Sequence, residues 1–196
     1  MGQAENRFFA TLSDMSIVVE KPRFSWLTTQ VLPGVSDMND VLWKIFLSLG
    51  GSPEGMKTKS VRKLSPDGYM KEMNCLIEFD ELQHFTEYRK TTLELYPSDV
   101  SLGFELDTYK DWCDKHATTA FKKGPAGYRK AKKEFPFEGG RAAQRALFDA
   151  CRDLMPREHG LAPTVRVSEM QVPSLMFNLE SAQQEISKAF SEVGLR

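Results

Sequence analysis

Hydrophobic and polar positions alternate most regularly near the middle of the chain, where Cys75, Ile77 and Phe79 point one way and Glu78 the other, with Leu76 as the exception. Counting back at period two adds Tyr69 and Met73 to the apolar face and Met70, Glu72 and Asn74 to the other. This strand is expected to have one core face and one largely wet face. Before it, Ser65-Pro66-Asp67-Gly68 reads as a turn, because Pro66 presets φ, Asp67 can bond its own backbone and Gly68 accepts positive φ. In the strand expected before that turn, Lys57, Lys59 and Lys63 share a face with Val61, the pattern of an edge guarded by lysine. After a connection at 80–83, residues 84–96 are rich in Thr, Tyr, Phe and Leu and suit a third strand.

Helical spacing takes over on either side. Ser36 caps a helix over 36–49, with Asp37 and Asp40 in its first turn and Met38, Val41, Leu42, Ile45, Phe46 and Leu49 on its apolar face. Asp107 caps a helix over 107–123 whose face carries Tyr109, Trp112, Cys113, His116, Ala117 and Ala120, and which Gly124-Pro125 stops. Ala143, Leu147, Ala150, Cys151 and Leu154 define a helix over 140–155. Asn178 caps another over 178–193, bearing Leu179, Ala182, Ile186, Ala189, Phe190 and Val193. Residues 16–20 and 23–32, split by Lys21-Pro22, read as strands, and 164–172 alternates around Val165 and Val167. Residues 7–12 make a helical turn or an irregular lead-in. Strands ahead of a block of helices predict an α+β fold: an antiparallel or mixed sheet built around 56–96 with N-terminal strands, packed by the helices at 36–49, 107–123, 140–155 and 178–193.

With 196 residues, 41% of them hydrophobic, the chain can bury the core of one domain, residues 1–196, with a basic helical excursion at about 107–140. The net charge of −1 argues against general coating of nucleic acid, so any such role must come from a local patch. No apolar run reaches the roughly 20 residues of a membrane span and no leader pattern opens the chain, so a cytoplasmic, membrane-free protein is expected. Asn6 departs from the Ser or Thr that myristoylation at Gly2 requires. Cys75, Cys113 and Cys151 are odd in number and widely spaced, which suits thiols in a reducing compartment. The glycines at 50–55 lack the Gly-x-x-x-x-Gly-Lys-Ser/Thr spacing of a phosphate cradle.

One segment departs from this neutral background. Residues 109–135 hold eight basic side chains against three acidic ones (Asp111, Asp114 and Glu134), a local +5 that leaves −6 for the rest of a chain of net −1. Tyr109, Trp112, Phe121, Tyr128 and Phe135 are interleaved with them and could stack on bases while the cations meet phosphates. The expected function is therefore non-catalytic binding of nucleic acid through Lys110, Lys115, Lys122, Lys123, Tyr128, Arg129, Lys130, Lys132 and Lys133, with Lys57, Lys59, Arg62 and Lys63 as possible additions. The alternative is a protein-interaction or regulatory factor whose basic face meets an acidic protein partner. Lysines near a helix C-terminus also favour the helix itself, so a merely solvated face is the structural counterpart of both.

Other residues suggest chemistry less directly. Cys113 and His116 lie three apart on one helix face, but a zinc site needs two further ligands and Cys75, His84, Cys151 and His159 are scattered, so neither a metal nor a cofactor is expected. The acidic pairs Asp80 and Glu81, and Glu105 and Asp107, are expected to solvate turns and cap helices. His84-Phe85-Thr86 and His116-Ala117-Thr118 are two His-x-Thr triplets, and the pair resembles that of the 2H phosphoesterases, whose histidines act as acid and base. The resemblance covers six residues and implies a small hydrolase using His84 and His116. In that family both triplets sit on adjacent strands, whereas the second falls here in an expected helix and Glu87 follows the first in place of an apolar residue.

Overall fold

The structure, a computed structural model, describes residues 2–123 and 126–194, without the side chains of Lys123 and Ala126. Seven α-helices and a three-stranded sheet make up its regular part: α1 (Gln3–Asp14), α2 (Asp37–Ser48), α3 (Pro53–Thr58), β1 (Gly68–Met70), β2 (Cys75–Asp80), α4 (Glu87–Glu94), α5 (Leu106–Lys123), α6 (Gly140–Leu154), β3 (Ala162–Ser168) and α7 (Leu179–Glu192). The fold is α+β with a mixed sheet. β2 is central, antiparallel to β1 and parallel to β3, and α4, α5 and α6 make the crossover between the parallel pair.

Each face of the sheet is covered, and the two covers differ in chemistry. Cys75, Ile77 and Phe79 point toward α1 and α7, as their period predicts, and Phe8 of α1 stacks on Phe79 with ring centroids 4.7 Å apart. Val165 and Val167 of β3 join them, with Ile186 and Phe190 of α7. On the opposite face Leu76 meets the larger cluster formed by α2, α4, α5 and α6. That face also carries Glu78 and Asp80, so the side expected to be wet is buried: Glu78 is 2% exposed and Asp80 1%. α6 covers it with charged residues of its own.

Several local expectations are corrected. The hairpin turns at 71–74 and not at Ser65–Gly68: Asn74 adopts φ +49 there, its Oδ1 accepts from Tyr69 Oη (2.8 Å) and its Nδ2 donates to the Gly160 carbonyl (2.8 Å). Asn tolerates left-handed backbone, which makes it a natural closing residue. Because four turn residues interrupt the alternation, Met70 and not Tyr69 shares the face of Cys75. Residues 84–96 form a 3-10 turn (Leu82–His84) and α4 instead of a strand. Thr86 caps α4 by accepting from Arg89 N (3.3 Å), and the buried Arg89, Thr92 and Leu93 give the segment a helical inner face that overrides its β-favouring composition.

The stretch expected as a lysine-guarded edge strand begins instead as α3, capped by Ser52, whose hydroxyl accepts from Gly55 N (3.1 Å). Lys59 is drawn inward to pair with Glu134, and Lys63 takes part only in an isolated bridge to Thr28. Residues 16–32 are extended, but Glu20 and Thr28 make single bridges where whole strands were expected, since Pro22 and the intervening bends deny them a ladder. Residues 7–12 belong to the regular helix α1. The expected stop at Gly124-Pro125 lies outside the described residues.

Close backbone approaches hold the basic segment to this frame. A Cβ on Gly55 would stand 2.0 Å from the Lys133 carbonyl oxygen, and Ser52 N donates to the Glu134 carbonyl (2.8 Å). Gly55→Ala is expected to push α3 off residues 133–134 and to lower stability by about 1–3 kcal/mol, as overpacking does. A urea titration reads it, and an unchanged midpoint would show that the loop yields freely.

Candidate functional site

α6 carries two stripes. Its apolar stripe enters the core, while Arg141, Arg145, Asp149, Arg152 and Asp153 recur four, four, three and one residue apart on a second, charged face. That face lies over Glu78, Asp80 and Arg166 of the sheet. Arg166 Nη1 donates to both oxygens of Asp80 (2.8 and 3.0 Å), Nε to Asp153 Oδ1 (2.6 Å) and Nη2 to the Asp149 carbonyl (3.2 Å). The other oxygen of Asp153 accepts from Arg89 Nη2 (2.7 Å) and from the Tyr96 hydroxyl (2.6 Å), which itself accepts from Arg89 Nη1 (2.8 Å). In this inner half of the cluster the side chains are buried and the two arginines are matched by two carboxylates.

The outer half is different. The 3-10 turn after β2 brings His84 back over Asp80, four residues earlier, and His84 N donates to the Glu81 carbonyl (2.9 Å). His84 Nδ1 stands 3.0 Å from Asp80 Oδ1 and 3.2 Å from Asp149 Oδ2, while Nε2 meets Arg145 Nη2. A guanidinium has only donors, so Nε2 is the acceptor and Nδ1–H donates to Asp149 Oδ2, with Asp80 Oδ1 close beside it. His84 opens onto a cleft of about 180 Å³ lined also by Asp67, Glu78, Arg141, Arg145, Phe148, Asp149 and Arg152. That is the space of a few water molecules, enough for one phosphate group.

The cations of this cleft are unevenly matched. Arg152 Nη1 donates to Asp149 Oδ1 (3.2 Å), and its Nε stands 3.4 Å from Glu78 Oε2 without the alignment of a hydrogen bond. Arg141 donates to Gln144 Oε1 and Arg145 to His84, and among the described residues neither arginine has a carboxylate within 4.0 Å. Arg141 is thus tied through Gln144 to Glu134, whose Oε1 accepts from Gln144 Nε2 (2.6 Å) and from Lys59. Two arginines one helical turn apart, half-buried and without an anion, make a site complementary to one.

Carboxyl acidities follow the same division. Burial pushes the Asp80 and Asp149 carboxyls up, but Arg166 counters it at both, joined at Asp149 by the His84 N–H, holding Asp80 below the usual range and Asp149 well below. Glu78 is raised well above its ordinary value by burial, with Asp67 and Asp149 adding to the rise against Arg152 and Arg166. Burial also raises the thiols, Cys75 to about 11 and Cys113 and Cys151 to about 12, which leaves them unreactive near neutral pH.

The basic residues singled out in the sequence are divided among several places. Lys110 lies 3.7 Å from Asp107 at the start of α5, while Lys115 and Lys122 are exposed farther along it. Lys122 lies about 18 Å from Lys110 along the axis at 1.5 Å per residue. The side chain of Lys123 lies outside the described residues. Tyr128 is buried, its hydroxyl donating to the Gln83 carbonyl (3.3 Å), so it props the turn that carries His84 and presents no stacking face. Lys133 closes the end of α3 through the Thr58 carbonyl (2.6 Å) and Lys132 is half-buried.

Arg129 and Lys130 are exposed, and their backbone is tied to the start of α6. Their carbonyls accept from Gly139 N (3.0 Å) and Arg141 N (2.9 Å), which sets that loop against the start of α6 beside Arg141 and Arg145. Neither His-x-Thr triplet lies on a strand, and the partners of His84 are Asp80, Asp149 and Arg145 rather than His116. Asp80 does not solvate a turn but anchors the buried cluster. Arg141, Arg145, Asp149 and Arg152 escaped the sequence reading, although their four-four-three spacing on an expected helix is a visible second stripe.

Two stability measurements check this electrostatic layout. Arg166→Met is expected to cost about 3–5 kcal/mol in urea unfolding, because it leaves Asp80 and Asp153 buried without their shared cation. Glu78→Gln is expected to do the opposite. A carboxyl raised by folding loses stability as pH climbs past its unfolded value of 4.5, so the variant should melt higher than the wild type at pH 7 and the gain should shrink below pH 4.5. A lower melting temperature at pH 7 would mean that Glu78 is held as a paired anion by Arg152.

No curated protein and no solved structure matches the chain. Residues 44–184, a span that contains the whole sheet, α4 to α6 and every member of the charged cluster, match the family of unknown function DUF7255, and the chain belongs to that family.

Proposed function

We propose that the protein binds a nucleic-acid strand, with a backbone phosphate in the cleft at Arg141 and Arg145 and neighbouring phosphates along Arg129 and Lys130. The observation that carries this reading is the pair of half-buried arginines that, among the described residues, have no carboxylate within 4.0 Å and lie on the helix whose start is bonded to the basic loop. Arginine at such a site offers planar donors to two phosphate oxygens at once. A charge-segregated patch in a chain of net −1 confines the contact to one face.

An aromatic groove supports the same path. Tyr88, Phe121 and Lys122, with Thr86, Glu87, Ala117 and Thr118, line a surface depression of about 490 Å³ between α4 and α5. The Tyr88 ring lies against Gly139, where a Cβ would stand 2.5 Å from the hydroxyl, and Gly139 N donates to the Arg129 carbonyl. From the groove to the cleft the order is therefore ring, basic loop, arginine pair, which suits a strand whose base stacks while its phosphates are held. Of the residues proposed from sequence, Lys122, Arg129 and Lys130 belong to this path, and Lys110 and Lys115 stand elsewhere on α5.

Fluorescence anisotropy with single- and double-stranded DNA and RNA oligonucleotides tests the reading. Arg141→Gln with Arg145→Gln is expected to weaken binding and to reduce the slope of log affinity against log salt by about 1.4, the value for two lost single-strand phosphate contacts. Lys130→Glu with Lys132→Glu should weaken binding without changing the fold. Absence of binding at low salt would overturn the proposal, and capture of polyglutamate but not of oligonucleotides would replace it with an acidic protein partner.

A further inference from the structure

The cleft contains more than a phosphate site requires. An anion is satisfied by Arg141 and Arg145 alone, yet a histidine is held beside them with one nitrogen bonded to the buried Asp149 and close to the buried Asp80, and the other turned to the arginine that would grip the phosphate. Asp80 and Asp149 are themselves fixed by Arg166, Asp80 through two bonds of 2.8 and 3.0 Å and Asp149 through its carbonyl at 3.2 Å. The ring can then neither rotate nor exchange tautomers without breaking a buried bond. A histidine with Nδ1–H held by carboxylate and Nε2 directed at the reacting group is the arrangement of a general base.

We propose that the protein hydrolyses phosphodiesters in this cleft, with His84 as the general base; this rests on the nucleic-acid reading of the same site. In the free protein Arg145 covers Nε2. A phosphodiester bound between Arg141 and Arg145 draws the Arg145 guanidinium onto its oxygens and uncovers the lone pair. A water molecule gives its proton to Nε2 as its oxygen forms a bond to phosphorus. The bond from phosphorus to one ester oxygen breaks, and the electron pair leaves with that oxygen, which takes a proton from solvent. Nε2 then returns its proton to solvent. One water is consumed per bond broken, and the products are a phosphomonoester and an alcohol.

Arg141 and Arg145 stabilise the charge that gathers on the non-bridging oxygens in the transition state. Asp80 and Asp149 are positioning residues: they set the tautomer and favour the imidazolium that forms during attack. Phe148 forms an apolar part of the cleft wall. His116 and His159 lie outside the cleft and have no part in the reaction.

The assay uses the full chain with end-labelled DNA and RNA oligonucleotides and with bis(p-nitrophenyl) phosphate, each with and without magnesium chloride. The wild type is expected to cleave at least one of these substrates in one of the two buffers. His84→Ala should lose about 10²–10⁴-fold in turnover, the usual contribution of a general base, while oligonucleotide affinity stays within a few-fold. Imidazole should restore part of the rate, which a merely structural histidine would not allow. His116→Ala and His159→Ala should turn over as the wild type does.

Diethyl pyrocarbonate on the wild type supplies a test that does not depend on a folded variant: inactivation should map to His84 and be slowed by bound oligonucleotide. Cleavage unaffected in a folded His84→Ala, or modification that inactivates only at another histidine, would overturn the assignment. A wild type that binds oligonucleotides but cleaves nothing in either buffer would overturn the hydrolytic proposal and leave the binding proposal standing. Failure to bind would remove both.

Discussion

Arg166 is the side chain on which the architecture depends. From the middle of β3 its guanidinium reaches Asp80 at the end of β2 and Asp153 on α6, and it is fully buried. Asp153 passes the connection to α4 through Arg89 and Tyr96. A charge in such a place is tolerated only if its donors are met with good geometry, because the cost of removing it from water is several kcal/mol. The sheet, α4 and α6 must therefore meet in one register, and an apolar contact of equal area would not impose that demand.

The same cluster changes character as it runs outward. On the Asp153 side carboxylate, guanidinium and hydroxyl saturate one another. On the Asp149 side the pairing runs out: His84 is shared by two carboxylates, Arg145 ends on an imidazole nitrogen and Arg141 on an amide. Glu78 is kept beside Asp67 and Asp149 with its carboxyl raised well above the usual range. Titratable groups are thus pushed in opposite directions within one cleft, Glu78 upward and Asp149 downward.

Placement of the basic loop links this interior to a surface. The carbonyls of Arg129 and Lys130 are bonded to the first turn of α6, so the loop takes its position from the helix that carries Arg141 and Arg145. Tyr128 serves as a strut beneath it, contacting the turn that presents His84. A strand lying along the loop would thus be guided toward the histidine by the same helix that orients it.

Much of the frame was legible in the chain itself. Four helices have apolar faces strong enough to set their limits within a residue or two, two of them with the expected caps at Ser36 and Asn178 while Asp107 lies inside α5, and the alternation of Cys75, Ile77 and Phe79 declares a strand with a core face. The basic excess at 109–135 was equally plain. Local pattern failed where partners distant in sequence decide conformation. Residues 84–96 have the composition of a strand, but 87–94 form a helix that places Arg89 against Asp153, 64 positions away. Glu78 and Asp80 look like the wet side of a strand because nothing nearby announces that Arg152 and Arg166 will cover them. The sequence by itself determined four of the helices and the central strand, through periodicity and capping, which are local free energies. Only the tertiary structure decided which charges are buried together and which are left without a partner, because that balance is struck between β2, α6 and β3 across more than 80 residues.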